Sequence, residues 1–188
     1  LGDVYKRQVL EFAHQKTVSG GEIRQLRKKL DFTQKNFAAF ANVSVKTVQH
    51  WESGKKEVSG PIVALLKILK EHPQLKDELM IPEKKYPLRL KYFCGNDLCT
   101  IIDVDERNQK IFVKNFVSDY MYRAFGRNEK PDYRDYEEFL ESRCFPRTRD
   151  QMKLMLRELN LPFYDPFLII QKTQGRMAED NFWIQIEM

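Results

Sequence analysis

Cysteine is scarce in this sequence of 188 residues: Cys94, Cys99 and Cys144 are the only three. So small and odd a number cannot build the disulfide framework of a secreted domain, and it points to a reducing cytoplasm. Long apolar runs are missing too. No stretch approaches the roughly 18 consecutive apolar residues of a membrane span, because Lys or Asp interrupts each one, so no membrane partner is expected. The eight glycines form no phosphate-cradling loop, and neither His14 nor His72 has a Ser, Cys or acid at a catalytic spacing. No enzymatic activity and no cofactor are therefore expected. Cys94-x4-Cys99 sits at the edge of zinc-knuckle spacing with no second pair or His nearby, which argues against a metal. Asp3-Val4-Tyr5-Lys6-Arg7-Gln8 reads as a translated sequencing adapter, and residues 1–8 are set aside as an artefact.

What is present is an ordinary globular composition, 42% hydrophobic, with a net charge of +5 that is unevenly placed. Residues 1–82 hold 14 Lys or Arg against 9 Asp or Glu, whereas residues 83–188 hold 18 against 18. A positive excess confined to one half is the footprint expected of a phosphate-binding face.

The pattern of that half predicts helices. Ser19-Gly20-Gly21-Glu22 has the Ser-x-x-Glu form of a capping box, and Ile23, Leu26 and Leu30 give the following helix one apolar face. Thr33 caps a second, short helix through Ala41, with Phe37 and Phe40 directed to a core and the small Ala38 and Ala39 allowing close helix approach. Asn42 stands where a tight turn takes the left-handed backbone conformation. Ser44 caps a third helix to about Ser53, whose Val48 and Trp51 point inward as core and whose Val45, Lys46, Thr47 and His50 point outward. Gly54 ends it. Ser59-Gly60-Pro61 opens a fourth helix with Ile62, Leu65, Leu66 and Leu69 as its buried stripe.

Thr33-Gln34-Lys35-Asn36-Phe37-Ala38 and Val43-Ser44-Val45-Lys46-Thr47-Val48-Gln49-His50-Trp51-Glu52-Ser53-Gly54 resemble the Xre/Cro-type helix-turn-helix, and Ser59-Gly60-Pro61 with Leu65-Leu66 is similar to its MqsA and HigA antitoxin branch. The resemblance covers about residues 19–72. Asn42 replaces the more usual Gly, and the zinc-binding part of some MqsA antitoxins has no counterpart. The resemblance implies a DNA-binding surface in which Gln34, Ser44 and Lys55 hold phosphates, Lys35 lies on the same face, and Val45, Lys46, Thr47 and His50 meet base edges. Lys46 would donate to guanine, Val45 would touch a thymine methyl, and His50 would donate or accept. The alternative for these lysines is a solvated helix surface.

In the second half, His72-Pro73 to Pro87 reads as a helix end followed by a linker over 75–87, with a new domain from Leu88. Leu98, Thr100, Ile102 and Val104 alternate with Cys99, Ile101 and Asp103, and Ile111 to Phe116 follows a turn at 105–108, which predicts a β-hairpin. Tyr136, Phe139 and Leu140 mark one helix. Met152, Met155, Leu156 and Leu159 mark another, begun by the box Thr148-x-x-Gln151. Phe182, Ile184 and Ile186 alternate as a last strand. The expected fold class is α+β: a helix-turn-helix bundle of four to five helices over 9–74, then a small α+β domain over 88–188.

Arg143, Arg147 and Arg149 crowd one helix-to-helix turn. Residues 139–184 faintly resemble small proteins encoded beside HipA-type kinase toxins. The arginines are expected either to pair with acids such as Glu137, Glu141 and Asp150, or to meet an anionic partner. The whole reads as a dimeric repressor that binds an operator in duplex DNA. The rival is an interaction inhibitor whose C-terminal domain neutralises a protein partner and whose DNA binding only autoregulates.

Overall fold

The computed structural model describes residues 11–13, 15–148 and 152–188. The chain divides into two compact units, Leu1–Met80 and Ile81–Met188, an α+β protein whose first unit is mostly helical.

The first unit holds α1 (Gly20–Lys29), α2 (Gln34–Phe40), α3 (Val45–Ser53), α4 (Pro61–Glu71) and α5 (Leu75–Leu79), together with two short strands, β1 (Thr17–Val18) and β2 (Val58–Ser59). Each start is set by a local residue. The Ser19 and Glu22 side chains cap one another's backbone amides at α1, Thr33 accepts from Asn36 N at α2, and Ser44 accepts from Thr47 N at 3.0 Å at α3. Pro61 occupies the first turn of α4. The turns are equally local. Asn42 takes φ 52 after α2, and its amide and that of Val43 bond back to Ala39 O and Ala38 O. Asp31 (φ 54) ends α1 in the same way, so both turns are Schellman closures with Asp or Asn where glycine is commonest. The antiparallel pairing of β1 with β2 was not expected in a bundle; it ties the segment before α1 to the one before α4.

The core of this unit is Ile23, Leu26 and Leu30 from α1, Phe37 and Ala38 from α2, Val48 from α3, and Ile62, Val63, Leu66 and Leu69 from α4. Each such large side chain contributes about 1.5–3 kcal/mol on burial. Phe40, Trp51 and Leu65 pack against this core half-buried, so Trp51 points inward as expected but lies at the margin of the core. The segment expected as linker, 75–87, contains α5, whose Leu75 packs on the first core. Its later part is bound into the second unit: Lys85 N donates to Asp103 Oδ2 at 2.7 Å and Pro82 O accepts from Arg89.

The second unit is built on an antiparallel sheet of β3 (Leu88–Cys94), β4 (Asp97–Asp105), β5 (Lys110–Asn115) and β6 (Phe182–Glu187) in the order β5-β4-β3-β6. The last strand of the chain thus lies beside the first of the sheet. Helices α6 (Tyr133–Ser142), α7 (Met152–Glu158) and α8 (Pro166–Thr173) supply Tyr136, Phe139, Leu140, Leu156, Ile169 and Ile170 to a core with Leu90, Tyr92, Ile102, Val104 and Ile184. The predicted hairpin is β4–β5, but β4 is buried on both faces, Ile101 and Asp103 as fully as Ile102. Asp103 tolerates this because the Arg89 guanidinium forks onto it at 2.6 and 2.8 Å. Strand β3 and helix α8 were not anticipated. The box Thr148-x-x-Gln151 lies partly outside the described residues, as do Arg149 and Asp150.

A candidate nucleic-acid interface on the second and third helices

Helix α3 offers one face to solvent. Val45, Lys46, Gln49, His50 and Ser53 are exposed on it, while Val48 and Glu52 are buried and Thr47 and Trp51 are intermediate. Three of the four residues expected to face outward, Val45, Lys46 and His50, do so. The fourth, Thr47, is half-buried, and its hydroxyl lies 2.8 Å from that of Ser44, so the two form one hydroxyl pair at the start of the helix. Gln49 escaped the sequence reading although its spacing, three from Lys46 and four from Val45, gives it the same face. Lys35, Lys55 and Lys56 are also exposed.

The orientation of α3 is fixed from beneath by a buried charge. Glu52 accepts from Arg27 Nε at 2.5 Å and Nη2 at 3.1 Å, from Gln34 Nε2 at 2.9 Å, and stands 3.5 Å from Arg24 Nε. Arg27 Nη1 also donates to Phe32 O, and Arg24 Nη2 to Glu52 O. One carboxylate thereby joins α1, the first residue of α2 and the last turn of α3. Burial pushes the Glu52 carboxyl up, yet the hydrogen bonds from Arg27 and Gln34 and the charges of Arg27 and Arg24 outweigh it and hold the carboxyl below its ordinary value. Glu52 and Arg27 carried a signal that was not used: each occupies an inward position of its helix, next to Val48 and Leu26, and their charges are opposite. Gln34 keeps a second amide hydrogen and its carbonyl oxygen for other contacts.

A second constraint is steric. A β-carbon on Gly20 would stand 2.2 Å from Trp51 O, so the first turn of α1 meets the backbone of α3 directly. Only glycine permits that approach.

The chain matches the family model described as the antitoxin component of a bacterial toxin-antitoxin system, MqsA, over residues 2–80, a match that begins inside the stretch set aside as adapter-like. It is 35% identical over 65 residues to the uncharacterized HTH-type transcriptional regulator YiaG of Escherichia coli strain K12, which covers 35% of this chain and 68% of that protein. It is 32% identical over 57 residues to antitoxin HigA-2 of Vibrio cholerae serotype O1, covering 30% of this chain and 55% of that protein. The chain belongs to the Xre-type helix-turn-helix family, and its first unit is similar to MqsA- and HigA-type antitoxins. The chain spans little more than half the length of HigA-2 and about two thirds of YiaG. The family match ends at residue 80, so this Xre-type assignment rests on the first unit. No helix among the described residues is long and apolar enough to cross a membrane. Among the described residues, no three His, Cys, Asp or Glu are grouped to hold a metal ion.

The arginine turn of the second unit resolves into separate environments. Arg143 is buried: Nε and Nη2 donate to Gly175 O, Nη1 and Nη2 fork onto Asp180 at 2.7 and 3.0 Å, and Nη2 reaches Phe182 O. With its donors taken inside the chain, Arg143 is unsuited to the partner surface expected of it. Its acid is Asp180, not the nearby Glu137 or Glu141 that sequence proximity suggested, while Asp150 lies outside the described residues. Arg147 does pair with Glu141, at 2.6 Å, on the surface and over the Tyr164 ring.

Proposed function

We propose that the chain is a sequence-specific, DNA-binding repressor of the antitoxin type, reading an operator with the exposed face of α3. The observation that carries this reading is the combination of an outward Val45-Lys46-Gln49-His50 face with a fixed support under it, the Glu52 cluster and the Gly20 approach. Base readout needs side chains held in register against the groove, and a helix anchored at its N-terminus, its middle and its last turn provides that.

In this reading Lys46 and His50 donate to base edges, Val45 meets a thymine methyl, and Thr47 contributes its methyl and hydroxyl beside them. Gln34, Lys35, Ser44 and Lys55 hold the phosphates on either side, Gln34 with the amide hydrogen that Glu52 leaves available. The protein acts as a homodimer on an inverted repeat with half-site centres about one helical turn apart. The rival reading gives the second unit the task of neutralising a protein partner, with autoregulation as the purpose of DNA binding; the antitoxin description of the family matched over residues 2–80 is what brings such a partner into the reading. Of the arginine turn, Arg147 beside Tyr164 has the exposure that such a partner contact requires. No catalytic role is assigned.

Selection of binding sites from random duplex DNA, followed by footprinting and sedimentation, tests the proposal. The expected product is an inverted repeat bound by a dimer, with affinity falling steeply as salt rises. A protein that enriches no sequence, or a strict monomer footprinting one half-site, contradicts it.

A further inference from the structure

Two of the three thiols stand together at the end of the β3–β4 hairpin. Cys94 closes β3 and pairs with Asp97, the first residue of β4. Cys99 belongs to the core on one face of the sheet and Cys94 packs against that same core, so the two share a face. The ladder also skips Cys99: Tyr92 pairs with Thr100 and Phe93 with Leu98, which leaves Cys99 as the extra residue of a β-bulge. Both cysteines line one open cleft of about 400 Å³, together with Phe116, Val117 and Tyr122. Cys94 is half-buried, Cys99 is buried, and both are free thiols. The Cys94 amide lies near enough to the Cys99 sulfur to favour its thiolate, but burial outweighs this and holds the Cys99 thiol above its ordinary value. Cys144 is set apart: it is buried, donates to Leu140 O at 3.3 Å, and burial pushes its thiol up to about 12.

We propose that Cys94 and Cys99 form a thiol–disulfide exchange site for a small disulfide such as oxidised glutathione. The more exposed Cys94 attacks as a thiolate, a mixed disulfide forms on it, and one glutathione thiolate leaves. The Cys99 thiolate then attacks the Cys94 sulfur, the second glutathione leaves, and the Cys94–Cys99 bond closes. Two protein thiols are oxidised, one small disulfide is reduced to two thiols, and the two protons pass to the departing thiolates. A diagonal pair in a regular ladder stands about 7–8 Å apart, beyond the roughly 4.4–6.8 Å that a disulfide usually spans, so the bond needs the backbone at the hairpin end to move. The hairpin end can close that gap, because Gly95 turns there at φ 58 and the bulged Cys99 has no partner residue on β3, its carbonyl being held instead by Phe116 N at 2.9 Å on the other side. The second step requires a buried thiol to ionise, so it is the slower one and accelerates as pH rises.

The full chain, incubated with oxidised glutathione, cleaved before Asp97 without reductant and mapped by mass spectrometry, tests this. The expected sequence is one glutathione on Cys94, then its loss with the two cysteine peptides joined and two hydrogens fewer, faster at higher pH, with Cys144 unmodified. Cys94→Ser is expected to take up no glutathione, and Cys99→Ala to stop at the Cys94 adduct. The map of the unaltered chain stands even where Cys99→Ala does not fold. Glutathione that persists on Cys94, a first adduct on Cys144, or no reaction at all would each overturn the proposal.

Discussion

Gly20 faces the Trp51 carbonyl so closely that a methyl group on it would lie 2.2 Å from the oxygen. The contact is backbone against backbone, so no side-chain rotation relieves it. Gly20→Ala is expected to destabilise the first unit by about 2–3 kcal/mol, the upper range for overpacking, seen as a lower unfolding midpoint in urea. Gly21→Ala beside it meets nothing closer than Ser19 Oγ at 3.8 Å and should raise helix propensity with no such loss. Equal effects of the two changes would show that α1 and α3 do not meet as described.

The arginine turn separates into a structural and a surface residue. Arg143→Ala leaves Asp180, Gly175 O and Phe182 O without their shared donor, and is expected to cost about 3 kcal/mol, as breaking a buried pair does. Arg147→Ala removes only an exposed pair with Glu141 and a ring contact, and should leave the midpoint nearly unchanged. Chemical denaturation of the two variants side by side checks the ordering.

The hydroxyl of Tyr136 is buried in the second core and has no hydrogen-bond partner among the described residues. Burial pushes its ionisation well above the ordinary tyrosine range. A buried polar group without a partner costs stability, so Tyr136→Phe is expected to be neutral or to stabilise by about 1 kcal/mol, against the usual direction of core substitutions. Destabilisation by that amount would mean the hydroxyl is satisfied after all.

Acid should weaken both units. Glu52 is held below its ordinary value of 4.5 despite burial, and Asp180 below 3.8, chiefly by its hydrogen bond from Arg143. A carboxyl whose folded value is depressed contributes stability that is fully present above its unfolded value and is lost as pH falls through the folded one. Unfolding free energy is therefore expected to be flat above about pH 5 and to decline below about pH 4. Asp180→Asn should reduce the acid slope of the second unit alone, read by fluorescence of Trp183, which belongs to that unit.

The first unit was legible because its determinants are local. Ser19, Thr33, Ser44, Asn42 and Pro61 each act within four residues, and a helical stripe such as Ile23, Leu26 and Leu30 shows in any short window. What joined the helices was not legible, since Glu52 is 25 residues from Arg27 and 18 from Gln34, and Gly20 matters only through Trp51. Strand β3 did carry an alternation, Leu88, Leu90 and Tyr92 against Arg89 and Lys91, but the run of charged residues and prolines before it favoured a linker. Helix α8 was announced by Asp165-Pro166, a cap followed by a first-turn proline. The partner of Arg143 was hidden by distance, because the turn just before β6 brings Asp180 to it from 37 residues away along the chain.

The most direct test of the DNA-reading account is binding of the selected operator and of random duplex DNA, at one salt concentration, to the parent chain and to Lys46→Ala, His50→Ala and Gln34→Ala. Lys46→Ala and His50→Ala should each lose about 1–3 kcal/mol on the operator, relax preference at one base pair, and change little on random DNA. Gln34→Ala should weaken both DNAs alike. If all three variants lost the same affinity on both DNAs, α3 would not be the reading helix, and the central claim would be wrong.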